Sequence, residues 1–168
     1  MQPTLCLALA SGEKLDVSLA HRLLAHLPAP ARLYNSYGPA ECTIEATLQH
    51  VMLSDTAIPI GRAMSVHQLH IGAPEGVVGE LWIGGPCVME GYLNAPNPCV
   101  AGWYPTGDLC YREGARYHYV GRRDFQVKLR GQRIELGEVE GALGPQAVVL
   151  KDAVRERLVA FVVQPEDM

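Results

Sequence analysis

No stretch of the 168-residue chain approaches the about 20 consecutive apolar residues that a membrane-spanning helix needs. The most apolar run, Leu5-Cys6-Leu7-Ala8-Leu9-Ala10, is short and has no basic lead-in, so it reads as a buried strand rather than a leader or a span. Basic charge is scarce as well: 14 Lys and Arg stand against 18 Asp and Glu, for a formal net charge of −4. That balance argues against a general nucleic-acid or anionic-membrane surface and points to small molecules or proteins as partners. Close cysteine pairs are missing too. Cys6, Cys42, Cys87, Cys99 and Cys110 lie far apart and form no zinc-type spacing, so they read as reduced thiols of a cytoplasmic protein. Repeats and low-complexity tracts are lacking.

What is present is a globular composition, 48% hydrophobic and 19% charged, punctuated by 17 Gly and 12 Pro. The length suits one core, or one core and the start of a second. Leu5–Ala10, a break at Ser11-Gly12, and apolar residues at Val17, Leu19, Leu23, Leu24 and Leu27 predict a strand, a turn and a helix ending near Pro28. Ala31–Tyr34 then reads as a second buried strand, so the opening looks like part of a parallel α/β layer. From about Ile58 to Val120 the runs shorten, at His67–Ile71, Glu80–Ile83, Cys87–Tyr92 and Tyr117–Val120, which suits an antiparallel or barrel-like β subdomain. Arg122-Arg123-Asp124 is the expected boundary. Beyond it, Gln126–Leu129 and Gln132–Ile134 flank Arg130-Gly131 as a hairpin. A helix from about Leu136 to Leu143 follows, with Glu135 and Glu138 at its positive end and Gly144-Pro145 stopping it. Val148–Leu150 and Leu158–Val163 read as strands. The fold class expected is mixed α/β: part of an α/β layer with a small barrel-like β subdomain, then a truncated α+β lobe.

Asn35-Ser36-Tyr37-Gly38-Pro39-Ala40-Glu41 puts an aromatic face, a Gly-Pro turn and an acid directly after a predicted strand, where α/β folds place ligands. An ordinary turn with a solvated Glu fits the same letters. Thr106-Gly107-Asp108 offers a carboxylate that can accept two sugar hydroxyls, and equally an Asx turn. Tyr119 and Arg122 add a ring and a permanent cation suited to a base and to a phosphate or ribose, although a strand Tyr is usually packing. His67 and His70, three apart on a predicted strand, face opposite sides and make no metal clip. Cys42 reads as a packed thiol rather than a nucleophile.

The run Gly121-Arg122-Arg123-Asp124-Phe125-Gln126-Val127-Lys128-Leu129-Arg130-Gly131-Gln132-Arg133-Ile134-Glu135-Leu136-Gly137-Glu138-Val139-Glu140 resembles the signature of the adenylate-forming superfamily, in the form found in nonribosomal peptide synthetase adenylation domains. Tyr37-Gly38-Pro39-Ala40-Glu41, Pro59-Ile60-Gly61-Arg62, Gly79-Glu80-Leu81-Trp82-Ile83-Gly84-Gly85, Gly91-Tyr92-Leu93 and Thr106-Gly107-Asp108 fall into that family's order, and the resemblance runs from about Leu5 to Val163. It implies an ATP-dependent ligase that converts an amino acid to its aminoacyl adenylate and passes the acyl group to the phosphopantetheine thiol of a carrier protein. It implies ATP or AMP and Mg²⁺ as cofactors. By position, Asn35 and Tyr37 hold adenine, with Gly38 in the same nucleotide loop. Glu41 is the magnesium ligand, Asp108 grips the ribose hydroxyls, and Tyr119 and Arg122 add nucleoside contacts.

The same resemblance makes residues 1–122 the carboxyl-terminal part of the large adenylation subdomain, 123–125 a hinge centred on Asp124, and 126–168 a truncated small subdomain. Lys128, Arg130 and Gly131 fall on the loop facing the carrier's pantetheine arm, although exposed hairpin charges would look identical. Leu9, Ser11, Ser36, Ile44 and Glu45 fall in the side-chain pocket for the amino acid.

Departures from the family pattern accompany the match. Ala40 stands where the family has Thr, losing a donor to the α-phosphate; a hydrogen bond to a charged group is typically worth about 1.5–3 kcal/mol. The family's phosphate loop belongs before the first strand seen here, and its catalytic lysine beyond Val163, where Gln164-Pro165-Glu166-Asp167-Met168 contains no Lys. No catalytic residue is therefore assigned, and the chain alone is expected to be incomplete or inactive, with the amino-terminal part of an adenylation domain as a further partner. The connection between Leu143 and Val148 is shorter than usual, so an imperfect last lobe is expected. Two other readings stay open: a noncatalytic remnant that binds nucleotide or a carrier, and the acyl- or aryl-CoA ligase branch, which Asp124 in place of Lys disfavours.

Overall fold

The structure, a computed structural model, describes residues 5–163, and it divides into two compact units, Met1–Arg123 and Asp124–Met168. Residues 164–168, in the region where the family's catalytic lysine was expected, lie outside the described residues.

In the first unit, strand β1 (Leu7–Ala10) pairs in parallel with β2 (Arg32–Tyr37) through helix α1 (Val17–His26). The helix starts where it does because the Asp16 carboxylate accepts from the Leu19 amide at 2.8 Å, satisfying a donor that the first turn leaves open. It stops at Leu27, whose successor Pro28 cannot continue the ladder. Ala20 packs with Leu15, Leu33 and Val51 in a small core. Burying a Leu or Val side chain of this kind is worth about 1.5–3 kcal/mol. β3 (Thr47–Val51) returns antiparallel along β2 and carries the short β4 (Arg62–Ala63) at its far side.

Here the structure corrects several expectations. β1 is not buried: Leu7 and Leu9 are 54% and 44% exposed, because they lie on the outer strand of a sheet ordered β1-β2-β3-β4. The layer is mixed rather than parallel, since β3, which the sequence reading did not contain, runs antiparallel. β2 extends to Tyr37, so Asn35, Ser36 and Tyr37 belong to a strand and not to the loop after one. The short-range pattern missed this because the polar Asn35 and Ser36 are buried by neighbouring elements, not by their own strand's alternation.

The second sheet of this unit is an antiparallel meander, β5 (Gln68–Ile71), β6 (Gly79–Gly84), β7 (Trp103–Glu113) and β8 (Arg116–Arg122), curled in half-barrel fashion. Leu81, Ile83, Tyr104 and Cys110 meet Cys42, Ala46 and Ile60 in a core that joins it to the short turn at 40–42. β7 runs through Thr106-Gly107-Asp108, so these residues lie mid-strand and the Asx-turn alternative falls away. Cys87–Tyr92, expected as a strand, is loop: its backbone is tied to the 40–42 turn, with the Met89 amide donating to the Glu41 carbonyl at 2.8 Å, rather than to a ladder. His67 precedes β5, buried, with Nε2 3.1 Å from the Cys42 carbonyl oxygen, and it makes no clip with His70.

The second unit pairs β9 (Gln126–Leu129) with β10 (Gln132–Glu135) antiparallel. Arg130 and Gly131, at φ 52° and 77°, make the two-residue turn, both in the left-handed region that matches the twist of such a hairpin. α2 (Leu136–Leu143) and a second hairpin, β11 (Ala147–Asp152) with β12 (Arg157–Val162), complete it. The Glu140 carboxylate accepts from the Val149 amide at 2.8 Å, so the short connection still seats the helix on the hairpin.

Candidate functional site

Asp108 is the centre of the first unit's polar network. It is 7% exposed, and on β7 it lies between two register irregularities, one against β6 at Glu80/Trp82 and one against β8 at Leu109/Cys110. Bulges re-aim side chains, and here the carboxylate meets groups from two other strands, β2 and β8. Arg122, its cross-strand partner on β8, donates from Nη1 to Oδ1 at 2.8 Å and to the Thr106 carbonyl at 3.1 Å. Tyr37, at the end of β2, donates its hydroxyl to Oδ2 at 2.5 Å. Burial, then the adjacent Asp108 charge, pushes the Tyr37 phenol well above its ordinary range, so it stays a donor at every working pH.

Thr106 and Glu80 hold this arrangement in place; each stands in a motif of the sequence without a role of its own there. The Thr106 hydroxyl donates to the Leu81 carbonyl at 2.7 Å and accepts from the Asp108 amide at 3.0 Å. Glu80 accepts from the Gly107 amide at 3.0 Å and from Arg123 Nη1 at 2.7 Å. Glu80 was visible in the sequence only as a letter of Gly79-Glu80-Leu81-Trp82-Ile83-Gly84-Gly85, with no chemistry attached.

The other expected nucleotide residues have contacts of their own. Asn35 is buried, with Nδ2 donating to the Pro59 carbonyl at 2.8 Å, so its amide group is oriented by the segment between β3 and β4. At Gly38 a Cβ would sit 2.2 Å from the Ile44 carbonyl oxygen, so only glycine lets the 44–46 segment fold back against the strand end. The fold-back is fastened by the Ala46 amide donating to the Tyr37 carbonyl at 2.8 Å. Tyr119 is half-buried and packs on the Leu81 and Cys110 core, the packing role the sequence also allowed. Glu41, 8% exposed in the turn at 40–42, accepts a short hydrogen bond from the Tyr92 hydroxyl. Burial and then the Glu41 charge push the neighbouring Cys42 thiol up to about 12, so it is no nucleophile at neutral pH.

Of the expected amino-acid pocket, Ser36 and Glu45 meet, with the hydroxyl donating to Glu45 Oε1 at 3.4 Å. Ile44 is 63% exposed at φ 71°, and Leu9 and Ser11 lie at the end of β1 and just after it. In the second unit, Asp124 Oδ1 accepts from the Gln126 amide at 3.2 Å, and the Lys128 carbonyl accepts from Lys151. A cavity of about 500 Å³ there is lined by Leu129, Ile134 and Leu158 together with Arg130 and Arg157.

Glu41 is a fitting group for magnesium in one respect: it is a hard oxygen donor, and this ion binds through one or two carboxylates with waters and substrate phosphates rather than in a protein cage. Among the described residues no set of three or more acidic, His or Cys side chains forms such a cage. No helix among them is long and apolar enough to cross a membrane.

Comparison with known proteins identifies the family. The profile of the family described as AMP-binding enzyme matches residues 2–93. Phosphinothricin tripeptide synthetase PhsB of Streptomyces viridochromogenes is 39% identical over 90% of this chain, and gramicidin S synthase 2 of Aneurinibacillus migulanus is 37% identical over all of it. The chain spans only 15% and 4% of the lengths of those proteins. The Vibrio cholerae adenylation domain AlmE, solved in complex with glycyl-adenosine-5'-phosphate, superposes with a TM-score of 0.81 at 30% identity, covering 94% of this chain and 35% of that one. PA1221, a nonribosomal peptide synthetase protein containing adenylation and carrier domains, gives 0.77 at 27% identity, covering 92% and 37%. The chain belongs to the AMP-binding enzyme family, and within it resembles the adenylation domains of nonribosomal peptide synthetases.

Proposed function

We propose that this chain supplies the nucleoside-holding part of an amino-acid adenylating enzyme. The observation that carries the reading is the network of Tyr37, Asp108 and Arg122, residues distant in sequence that meet over 2.5 and 2.8 Å. An ionised carboxylate offers about four acceptor positions, so two side-chain donors do not saturate it, and ribose hydroxyls are donors of the right kind. The Tyr37 hydroxyl bond fixes the ring, which leaves its face for an adenine base, with Asn35, Gly38, Tyr119 and Arg122 as further contacts. In the reaction proposed, a carboxylate oxygen of the amino acid attacks the α-phosphorus of ATP, the bond to the β-phosphate bridging oxygen breaks, and pyrophosphate leaves with that electron pair. Glu41 would hold Mg²⁺, which supplies charge neutralisation at the phosphates. AlmE bound to glycyl-adenosine-5'-phosphate and the carrier-containing PA1221 support the two halves of the activity, adenylate formation and transfer to a carrier.

On the same reading Asp124 is the pivot of a 123–125 hinge between residues 1–122 and 126–168. Lys128, Arg130 and Gly131 face the pantetheine arm of a peptidyl carrier protein, and Leu9, Ser11, Ser36, Ile44 and Glu45 line the side-chain pocket. The test is amino-acid-dependent exchange of labelled pyrophosphate into ATP by the chain combined with the amino-terminal portion of an adenylation domain. Exchange with at least one amino acid is expected; no exchange with any amino acid contradicts the reading. Ala40, which places a methyl where the family has a hydroxyl, favours one competing reading, a nucleotide- or carrier-binding remnant. Binding of AMP without exchange would select it.

A further inference from the structure

The loop from Gly85 to Gly102 has no ladder of its own, yet it is fastened to the turn that carries Glu41. The Met89 amide donates to the Glu41 carbonyl at 2.8 Å, and the Thr43 hydroxyl donates to the Cys87 carbonyl at 2.9 Å. Farther along, Asn97 clasps the loop to itself, with Nδ2 donating to the Glu90 carbonyl and Oδ1 accepting from the Cys99 amide, each at 2.9 Å. Met89 and Cys99 pack against the core beneath. These bonds deliver one polar side chain to the buried acid, because the Tyr92 hydroxyl donates to Glu41 Oε1. Tyr92 itself is 45% exposed, so burial of its ring does not account for where it points.

We infer that Tyr92 is a positioning residue for Glu41: its hydroxyl sets the carboxylate in the orientation that receives the divalent cation accompanying ATP. The inference rests on the adenylating reading and deepens it. A phenol O–H can donate to one carboxylate oxygen while the carboxylate as a whole stays anionic, since each oxygen carries two lone pairs. Carboxylates that bind metals are themselves hydrogen-bonded, and loss of such an outer partner typically costs about 10- to 100-fold in metal affinity. A purely structural role, holding the loop on the turn, predicts something else: Tyr92→Phe would lower stability and leave the cation requirement alone. The ring is kept in that variant and half of it is already in solvent, so the fold is retained.

The experiment measures ATP binding by the full chain calorimetrically, first with EDTA and then over a Mg²⁺ series repeated with Mn²⁺, whose bound fraction is read by electron paramagnetic resonance. Tyr92→Phe is expected to bind ATP as the unaltered chain does in EDTA and to need about 10-fold or more extra cation for half-maximal tightening. Glu41→Gln is the reference for loss of the cation response. An unchanged or lower cation requirement in Tyr92→Phe, with ATP binding intact, overturns the role of Tyr92 alone. Failure of the unaltered chain to bind ATP at any cation level overturns the adenylating reading and this inference together.

Discussion

The bulged meander around Asp108 and the hairpin around Arg130-Gly131 are both rich in charge, and they are built on opposite terms. In the meander the Arg122 and Asp108 side chains are 12% and 10% exposed; Arg122 donates to two groups of β7, and Asp108 accepts from Tyr37 and Arg122. In the hairpin, Lys128 and Arg130 are exposed, and the turn is made by two left-handed backbone conformations. A buried charge that loses its partner is left in a poor solvent, whereas an exposed one returns to water. A substitution in the meander should therefore cost stability whatever it does to a ligand, whereas one at the exposed hairpin charges should cost little.

Breaking the comparison calls first for the meander. Arg122→Met should destabilise the first unit by about 3–5 kcal/mol in urea denaturation, because Asp108 keeps its charge and loses its cation. A loss below about 1 kcal/mol would mean that Asp108 is solvated after all. Tyr37→Phe removes a donor but no charge and should cost about 1–3 kcal/mol by the same measurement.

The hairpin should respond less. Gly131→Ala meets no atom within 4 Å, so its only cost is the backbone at φ 77°, about 1–2 kcal/mol in thermal unfolding of the second unit. Arg130→Ala should stay within about 0.5 kcal/mol, while lowering acyl transfer to a carrier if the loop faces one.

The smallest effect belongs to His118 on β8, which stacks on Tyr111 at 4.6 Å. Burial lowers its pKa below 6.5, against the smaller opposing pull of Glu113. The folded state thus favours the neutral ring, and the unfolded chain binds more protons between the folded value and 6.5. Stability from this group is complete above pH 6.5 and is lost as pH falls through 6.5 toward the folded pKa. A His118→Gln chain should show a flatter stability profile in that window.

These contrasts also explain what could be read from the letters. The Arg130-Gly131 turn, helix Leu136–Leu143 and the strands flanking them are local, decided by residues within a few positions, and the sequence pattern predicted them closely. Tyr37 was singled out as a loop residue, and Asp108 as a carboxylate for which an Asx turn was the alternative. Their strands are interrupted by buried polar groups and bulges whose partners lie 71 positions apart in the Tyr37 to Asp108 bond. The strand β3 went unread because its alternating pattern sits among turn-forming residues, and Cys87–Tyr92 was overread because its apolar residues pack downward from a loop. Tyr92 had no assigned chemistry for a related reason: nothing local links it to Glu41, 51 positions earlier.

The claim on which most depends is that Tyr37, Asp108 and Arg122 form one adenosine-holding surface. Titration of the isotope-labelled chain with AMP, followed by amide and side-chain NMR shifts, addresses it directly. The account predicts saturable shifts concentrated at Tyr37, Asp108, Tyr119 and Arg122. Saturation with those four unmoved, or no response to AMP at all, would contradict it.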